Sequence, residues 1–297
     1  MNTEQLERLY KDVEQGKVAF LAQEDEFQWS GCTMCGRCCF DIDILLNPYD
    51  ILRLRRHLGC TTSDLIERGL VEIFPGGNSG LPLAMITFRK VEEETSLCPF
   101  LAPVVDGQKL RELTKAKDKL TMEDLEAARI LKRLACGIYP ARPTVCRSSP
   151  LGRISIGSKD GGNTRNLFYQ PPIPSCPACQ GEGQVKVAKW IEDNNVQPYW
   201  DASERFQNLF PTLFDKGLVL REGVDRATVV LWNVAAAILY DFDSLDHLSQ
   251  EFPQNRYRED ADEDKRLLSH LFQIVEALVA PRAQKSIDGK KLPLRQI

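Results

Sequence analysis

Four cysteines fall within eight consecutive positions, Cys32, Cys35, Cys38 and Cys39, in the order C-x-x-C-x-x-C-C. Thiolate is a soft ligand, and clusters of it select zinc or iron–sulfur centres over hard cations. A single cysteine is well explained as a small buried apolar residue. Four so close together are not. The first three match the C-x-x-C-x-x-C run of bacterial ferredoxins, whose set is completed by a cysteine followed by proline. Two such pairs are present here, Cys98-Pro99 and Cys176-Pro177. Ile42 stands at the ferredoxin spacing for a fourth cysteine, so the match is to the local loop and not to the ferredoxin fold.

The other cysteines sit in short segments rich in proline and glycine: Cys98-Pro99-Phe100-Leu101, residues 136–147 with Cys136 and Cys146 near their ends, and Cys176-Pro177-Ala178-Cys179 followed by Gly181 and Gly183. Such neighbours keep the chain out of regular structure and free backbone N–H groups to bond sulfur, which tunes a cluster's potential. The candidate ligands are therefore Cys32, Cys35, Cys38, Cys39, Cys98, Cys136, Cys146 and Cys176, with Cys179 left open. Adjacent side chains point in different directions in regular backbone. Cys38 and Cys39 are thus expected to serve different sites, or one of them to be a spare, and eight thiols suggest two four-thiolate sites.

These motifs together resemble the YkgJ-type cysteine-cluster family, described as a zinc- or iron-chelating domain. The resemblance rests on C-x-x-C-x-x-C-C at residues 32–39, C-P-F-L at Cys98, C-x-I-Y-x-x-R-P-x-x-C-R from Cys136 to Arg147, and a late C-P with glycines at Cys176. It covers about residues 30–183. It implies a metal centre on these cysteines. Since flagellin lysine methylases resemble the family around their cluster, it also implies a methyl-transfer role as an extension. The chain departs from the pattern in the long segment 102–135 between C-P-F-L and C-x-I-Y, in the additional Cys179, and in a C-terminal part that the motifs do not reach.

Around the thiols, Arg142 and Arg147 flank Cys146. A guanidinium there would offset cluster charge or dock an anionic partner; the alternative is a surface salt bridge. Tyr139 is expected over the site or in ordinary core. Cys60 lies outside the motifs and is read as structural. His57 is read as exposed or capping, and His247 and His270 receive no role. Two basic segments, Arg53, Arg55, Arg56 and His57, and Lys109, Arg111, Lys115, Lys117 and Lys119, are the local candidates for an acidic protein or nucleic acid, the latter disfavoured by the acidic residues interleaved with the second.

The elements that must position these residues follow from periodicity. Residues 2–24 read as an amphipathic helix. Pro48 opens a short helix over 49–58, and Asp64 with Glu67 marks a second. Residues 75–82 read as a loop, Met85, Ile86, Thr87 and Phe88 as a strand, and 108–135 as charge-rich helix with a start near Thr121. Residues 153–157 and 166–170 read as a hairpin turning at 159–163. Helices are expected over 185–194, 200–209, 226–240 and 264–280, with a charged stretch at 256–266 and a polar tail after Pro281. The fold class is α+β, mainly helical. An N-terminal helix (1–24) precedes an irregular cysteine-rich metal-binding lobe with a few short strands (25–183), and a helical C-terminal region (184–297) follows.

Composition sets the outer bounds. The chain has 297 residues, 43% hydrophobic and 27% charged, which suits an ordinary globular protein. A net charge of −4 argues against nucleic acid as partner. The start is polar without an apolar leader core, and the longest apolar stretch, 14 positions over 227–240, is short of a bilayer span. A cytoplasmic protein without membrane insertion is expected, and its reducing compartment disfavours a disulfide framework. P-loop, G-x-G-x-x-G, H-E-x-x-H, G-x-S-x-G and radical C-x-x-x-C-x-x-C motifs are absent. The first functional reading is an iron–sulfur protein of the 4Fe-4S type, either moving electrons to or from a redox or protein partner or acting as an oxidoreductase. The alternatives are a zinc-stabilised binding module and a protein lysine methylase using S-adenosylmethionine.

Overall fold

Asn47 begins the element on which the cysteine segments are hung. Its side chain accepts the Asp50 N–H at 3.0 Å, and the Asp50 carboxylate accepts the Asn47 N–H at 3.1 Å. This reciprocal cap satisfies two of the donors that every helix start leaves orphaned. Pro48, whose ring presets the helical φ, occupies the first turn of the resulting helix α1 (Pro48–Leu58). Gly59 ends it in the left-handed conformation, and Arg55, Arg56 and His57 lie in its last turn, where the helix dipole favours cations. A computed structural model describes residues 11, 15–16, 18–76, 80–91, 95–105, 107–116, 121, 131–156, 165–171, 173, 176–210, 213, 220 and 223–241.

In chain order the strands are β1 (Phe20–Leu21), β2 (Glu26–Gln28), β3 (Leu45–Leu46), β4 (Val71–Gly76), β5 (Leu81–Ile86), β6 (Arg89–Lys90), β7 (Ser96–Leu97), β8 (Leu101–Val105), β9 (Leu131–Cys136), β10 (Gly152–Ile156), β11 (Arg165–Tyr169) and β12 (Gln184–Lys186). The helices after α1 are α2 (Thr62–Glu67), α3 (Gly107–Ala116), α4 (Thr144–Ser148), α5 (Val187–Asp193), α6 (Gln197–Gln207) and α7 (Arg226–Tyr240). Short 3-10 turns cover Tyr139–Ala141 and Pro177–Cys179. The class is α+β, with helix exceeding strand and the strands grouped into small antiparallel sheets.

Two apolar cores hold the elements together. The larger joins α1, α2 and the β3-β5-β4 sheet to Tyr199 and Phe206 of α6 and to Ala235, Ile238, Leu239 and Tyr240 of α7. Ile51 and Leu54 on α1 are fully buried, each contributing roughly 1.5–3 kcal/mol. The Trp232 indole N–H donates to Gly80 O at 2.8 Å, and the Tyr240 hydroxyl donates to Pro82 O at 3.2 Å, fixing α7 on the β4–β5 hairpin. The smaller core gathers Phe27, Leu151, Phe168, Val187, Trp190, Val196 and Trp200. The helices after residue 184 thus share both cores with the cysteine-bearing segments.

Several local expectations change. Phe20 and Leu21 are not helical: they pair with Tyr169 and Phe168 as an edge strand, because Leu21 packs against the second core. The rest of the expected N-terminal helix lies largely outside the described residues. Helix α2 starts at Thr62 and not at Asp64, because Thr61 is its cap and Asp64 the reciprocal partner. Pro75, Gly76, Leu81 and Pro82 belong to the β4–β5 hairpin and not to a loop. Leu131–Cys136 is a strand, since it pairs with β8. Residues 153–156 and 166–169 do pair as a hairpin, its turn lying outside the described residues. Arg226–Tyr240 is a helix capped by Asp225. Strands are more numerous than the few expected, because two- and three-residue pairings carry no readable alternation. The stretches 256–266 and 264–280, with His247 and His270, fall outside the described residues.

Asp50 has a second use. Its Oδ1 accepts both the N–H and the hydroxyl of Thr144, each at 2.8 Å, while the Asn47 amide donates to the Thr144 oxygen at 3.1 Å. Helix α4 begins after Pro143, which offers no capping oxygen, so a carboxylate from α1 caps it across 94 residues of chain. Asp50→Ala is therefore expected to cost about 3 kcal/mol in urea unfolding, since it strands the Thr144 and Asn47 donors in a buried place. A loss below about 1 kcal/mol would show that the knot is not structural.

Candidate metal centre

The thiols reach one place by two separate backbone scaffolds. The first ties Cys38 and Cys39 to Cys98 and Cys136. The Cys98 N–H donates to Cys39 O at 2.9 Å, the bridge Phe40–Leu97 continues the pairing, and the Asp41 carboxylate accepts the Ser96 N–H at 2.6 Å. Strands β8 and β9 then place Leu101 opposite Cys136. The long segment 102–135 leaves and returns through this ladder, so its length does not separate Cys98 from Cys136. Gly36, at φ +73°, passes so close to Leu101 that a β-carbon there would lie 2.8 Å from its side chain. Cys146 arrives on α4, held by Asp50 at its start and at its end by the Trp200 indole, which donates to Ser148 Oγ at 2.7 Å.

The second scaffold ties Cys32 to Cys176 and Cys179. Strand β2 pairs with β12, the Trp29 N–H donates to Gly183 O at 2.8 Å, and the Ser30 N–H donates to Ala178 O at 2.9 Å. A β-carbon on Gly183 would lie 2.6 Å from Trp29 O, and one on Gly181 2.5 Å from Ser30 Oγ, so both glycines are needed for this approach. The Met34 N–H donates to Cys32 Sγ at 3.4 Å.

Cys32, Cys35, Cys38, Cys39, Cys98, Cys136, Cys146 and Cys176 all line one cavity of about 100 Å³, together with Tyr139 and Arg142. That is several times the roughly 10–15 Å³ that one water requires. Cys32 and Cys38 are exposed, so the cavity opens toward solvent. Among the described residues no group of three or more His, Cys, Asp or Glu is gathered as a ready-made ligand set. The sulfurs are neighbours, not a closed polyhedron.

Their electrostatics follow from that proximity. Cys39 lies in hydrogen-bond reach of both Cys38 and Cys98. A thiol proton from Cys39 holds the Cys38 sulfur low, at about 6, and lowers Cys98 as well, while Cys39 itself is pushed far up. Adjacent Cys38 and Cys39 therefore lie within hydrogen-bond reach of each other: the chain turns sharply after Gly36, with the Cys39 N–H bonded to Gly36 O. Burial, then the charges of Cys38, Cys98 and Cys136, pushes Cys146 up. Burial likewise raises Cys136. Cys179 is pushed to about 12 by burial and by its neighbour Cys176.

Arg142 is the buried cation of the site, beside the exposed Arg37. It is 8% exposed, lines the cavity, and contributes to the lowering of Cys38. Its guanidinium lies 4.0 Å from the Tyr139 ring centroid and donates to Asn194 Oδ1 at 3.3 Å. Tyr139 lies at the cavity wall with its hydroxyl in reach of Cys32, and burial raises it. Arg147 is different. It donates to Asn194 O at 3.1 Å and Pro140 O at 2.6 Å and stacks 4.3 Å from the Tyr199 ring centroid. It does not line the cavity, and its partners are carbonyls and a ring instead of the surface carboxylate of a salt bridge. Its work is to clamp residues 140–147 onto α5 and α6.

Cys60 packs against the larger core, and His57 is exposed at the end of α1. Arg53 and Arg55 are buried, so residues 53–57 present no continuous basic surface; α1 turns them toward protein. Lys109, Arg111 and Lys115 sit on α3, which buries none of its side chains, and Lys117 and Lys119 fall outside the described residues. Asp50, Asn47, Thr144 and Asn194 support the site without being among the residues expected there. Asn47 and Asp50 are visible in the sequence as a capping pattern, but nothing in it links Thr144 or Asn194 to them.

Comparison with protein-family models, with curated proteins and with solved structures finds no match to this chain. Among the described residues no helix is long and apolar enough to cross a membrane. Elemental analysis separates lining from bystander thiols: Cys60→Ser is expected to keep the full metal content, and Cys146→Ser to lose at least half of it. Equal metal content in the two variants would remove Cys146 from the site.

Proposed function

We propose that this chain is an iron–sulfur protein that moves electrons, with four of Cys38, Cys39, Cys98, Cys136 and Cys146 holding a cluster of the 4Fe-4S type, and that it belongs with the YkgJ-type cysteine-cluster proteins. The observation that carries the reading is the thiol-lined cavity of about 100 Å³. A closed four-thiolate zinc site wraps its sulfurs directly around one ion at roughly 2.3 Å and needs no such room. A polynuclear centre does. When bound, the cluster supplies a one-electron couple. The chain's own contribution is the rest: thiolates at the required places, a buried guanidinium against their charge, and an opening to solvent through which a partner approaches.

Arg142 bears directly on the electron. A cluster held by four thiolates is anionic, and reduction adds a further negative charge. A buried cation beside Cys38 favours the reduced state, because the low local dielectric leaves the attraction poorly screened. The neighbouring apolar side chains Phe40 and Val145 are exposed beside Cys39 and Cys146 and suit a transient protein partner.

Protein purified without oxygen is expected to be brown and to contain iron and acid-labile sulfide in comparable amounts. Colourless protein with stoichiometric zinc and no sulfide refutes the reading and favours a zinc-stabilised module. In a brown wild type, Arg142→Gln is expected to lower the reduction potential by tens of millivolts, where about 59 mV is a tenfold change for one electron. An unchanged or raised potential in voltammetry would show that Arg142 does not act on the centre.

A further inference from the structure

The eight cavity-lining thiols and Cys179 do not form one set. The first scaffold accounts for Cys38, Cys39, Cys98, Cys136 and Cys146, which approach one another by hydrogen bond or close charge. The second brings Cys32 against the Cys176–Gly183 loop. Cys179 lies in hydrogen-bond reach of Cys176 and near Cys32. These two scaffolds share no ladder: β2 pairs with β12, and β8 with β9.

The second group has its own spacing. Cys32 and Cys35 are one C-x-x-C, and Cys176 and Cys179 are another, the latter reading Cys-Pro-Ala-Cys with Gly181 two residues on. Paired C-x-x-C turns are the sequence form of a four-thiolate zinc site. Each turn is shaped for it here. Met34 takes a positive φ of 54° and points its N–H at Cys32 Sγ, 3.4 Å away. The Cys179 N–H closes the other turn on Cys176 O at 3.1 Å.

From this juxtaposition of two C-x-x-C turns on the β2–β12 ladder, we infer a second metal site, in which Cys32, Cys35, Cys176 and Cys179 hold one zinc-class divalent ion apart from the cluster group. Binding displaces the thiol protons to solvent and involves no redox step. The ion replaces the hydrogen-bonded contact of Cys176 with Cys179 and welds residues 29–35 to 176–183. Of its ligands Cys32 lies in reach of the Tyr139 hydroxyl, and the site does not depend on what the first group holds.

The test measures zinc, iron and sulfide on full-length protein purified without oxygen from medium supplying both metals. Wild type is expected to carry about one zinc beside its iron, the count of a single four-thiolate site. Cys179→Ser is expected to lose that zinc while keeping iron and sulfide, and Cys98→Ser to lose iron while keeping zinc. Zinc absent from wild type, or lost together with iron in a Cys179→Ser protein whose circular dichroism is native, overturns the second site. Should Cys179→Ser fail to fold, Cys179→His restores a fourth ligand. Its Co²⁺-loaded form is then expected to show thiolate-to-metal bands shifted from those of wild type, and an unshifted spectrum overturns the assignment. A protein with zinc that follows Cys179 but with no iron or sulfide sinks the electron-transfer reading and leaves this site standing. Iron and sulfide without zinc do the reverse.

Discussion

A buried carboxylate must be bonded or neutralised, and in this protein that requirement organises the segment that carries Cys146. Asp50 is almost completely enclosed, and burial pushes its carboxyl up to about 6 against the opposing pull of its donors. Those donors come from two places. Asn47 closes the start of α1, and Thr144 opens α4, the helix that carries Cys146. The carboxylate whose one oxygen caps the main core helix therefore also sets, through its other oxygen, where a candidate ligand stands. Arg147, one residue past Cys146, adds the second clamp through Asn194 and Pro140, and Trp200 adds the third through Ser148. Between Cys136 and Ser148 the buried apolar side chains are those of Ile138, Ala141 and Pro143. The position of this segment rests mainly on hydrogen bonds to elements with a larger share of the core.

The thiols impose the opposite constraint. Several acids brought close together cannot all ionise, because each charge raises the next. Cys39 accordingly holds its proton within reach of Cys38 and Cys98, and both of those are lowered. A divalent ion or an iron–sulfur core removes this frustration by replacing protons with positive charge. Arg142 offsets part of the remaining negative charge from within the protein, held over the Tyr139 ring so that its direction is set before any metal arrives. The segment bearing Cys146 is thus clamped in place, while the sulfurs stay short of a closed coordination polyhedron.

Legibility in the sequence tracks the range of the interaction. Helix α7 is readable to its ends because an apolar run follows a capping Asp225, both local signals. The β10–β11 hairpin is readable because its two strands flank a glycine-rich turn. Phe20 and Leu21 read as helix in the sequence, since two residues cannot reveal a period and their partner lies near residue 168. Arg53 and Arg55 read as a basic surface, and only the packing of α1 turns them inward. The clustered cysteines are visible as metal-ligand types, while Asn194 is invisible, an ordinary asparagine at a helix end whose amide and carbonyl hold two distant arginines.

The sequence by itself determined the chemistry on offer: soft thiolates in C-x-x-C spacing, with proline and glycine beside them to bend the chain. Those are properties of residue type and of a few bonds of backbone, and they survive in any fold. Tertiary structure alone decided which thiols are neighbours. Cys38 and Cys39 meet because of a turn at Gly36, Cys98 meets Cys136 because a long excursion closes on its own ladder, and Cys32 comes near Cys179 because β2 pairs with β12. Ladders between residues far apart in the chain are set by which apolar faces can be buried together. No spacing within one segment encodes that.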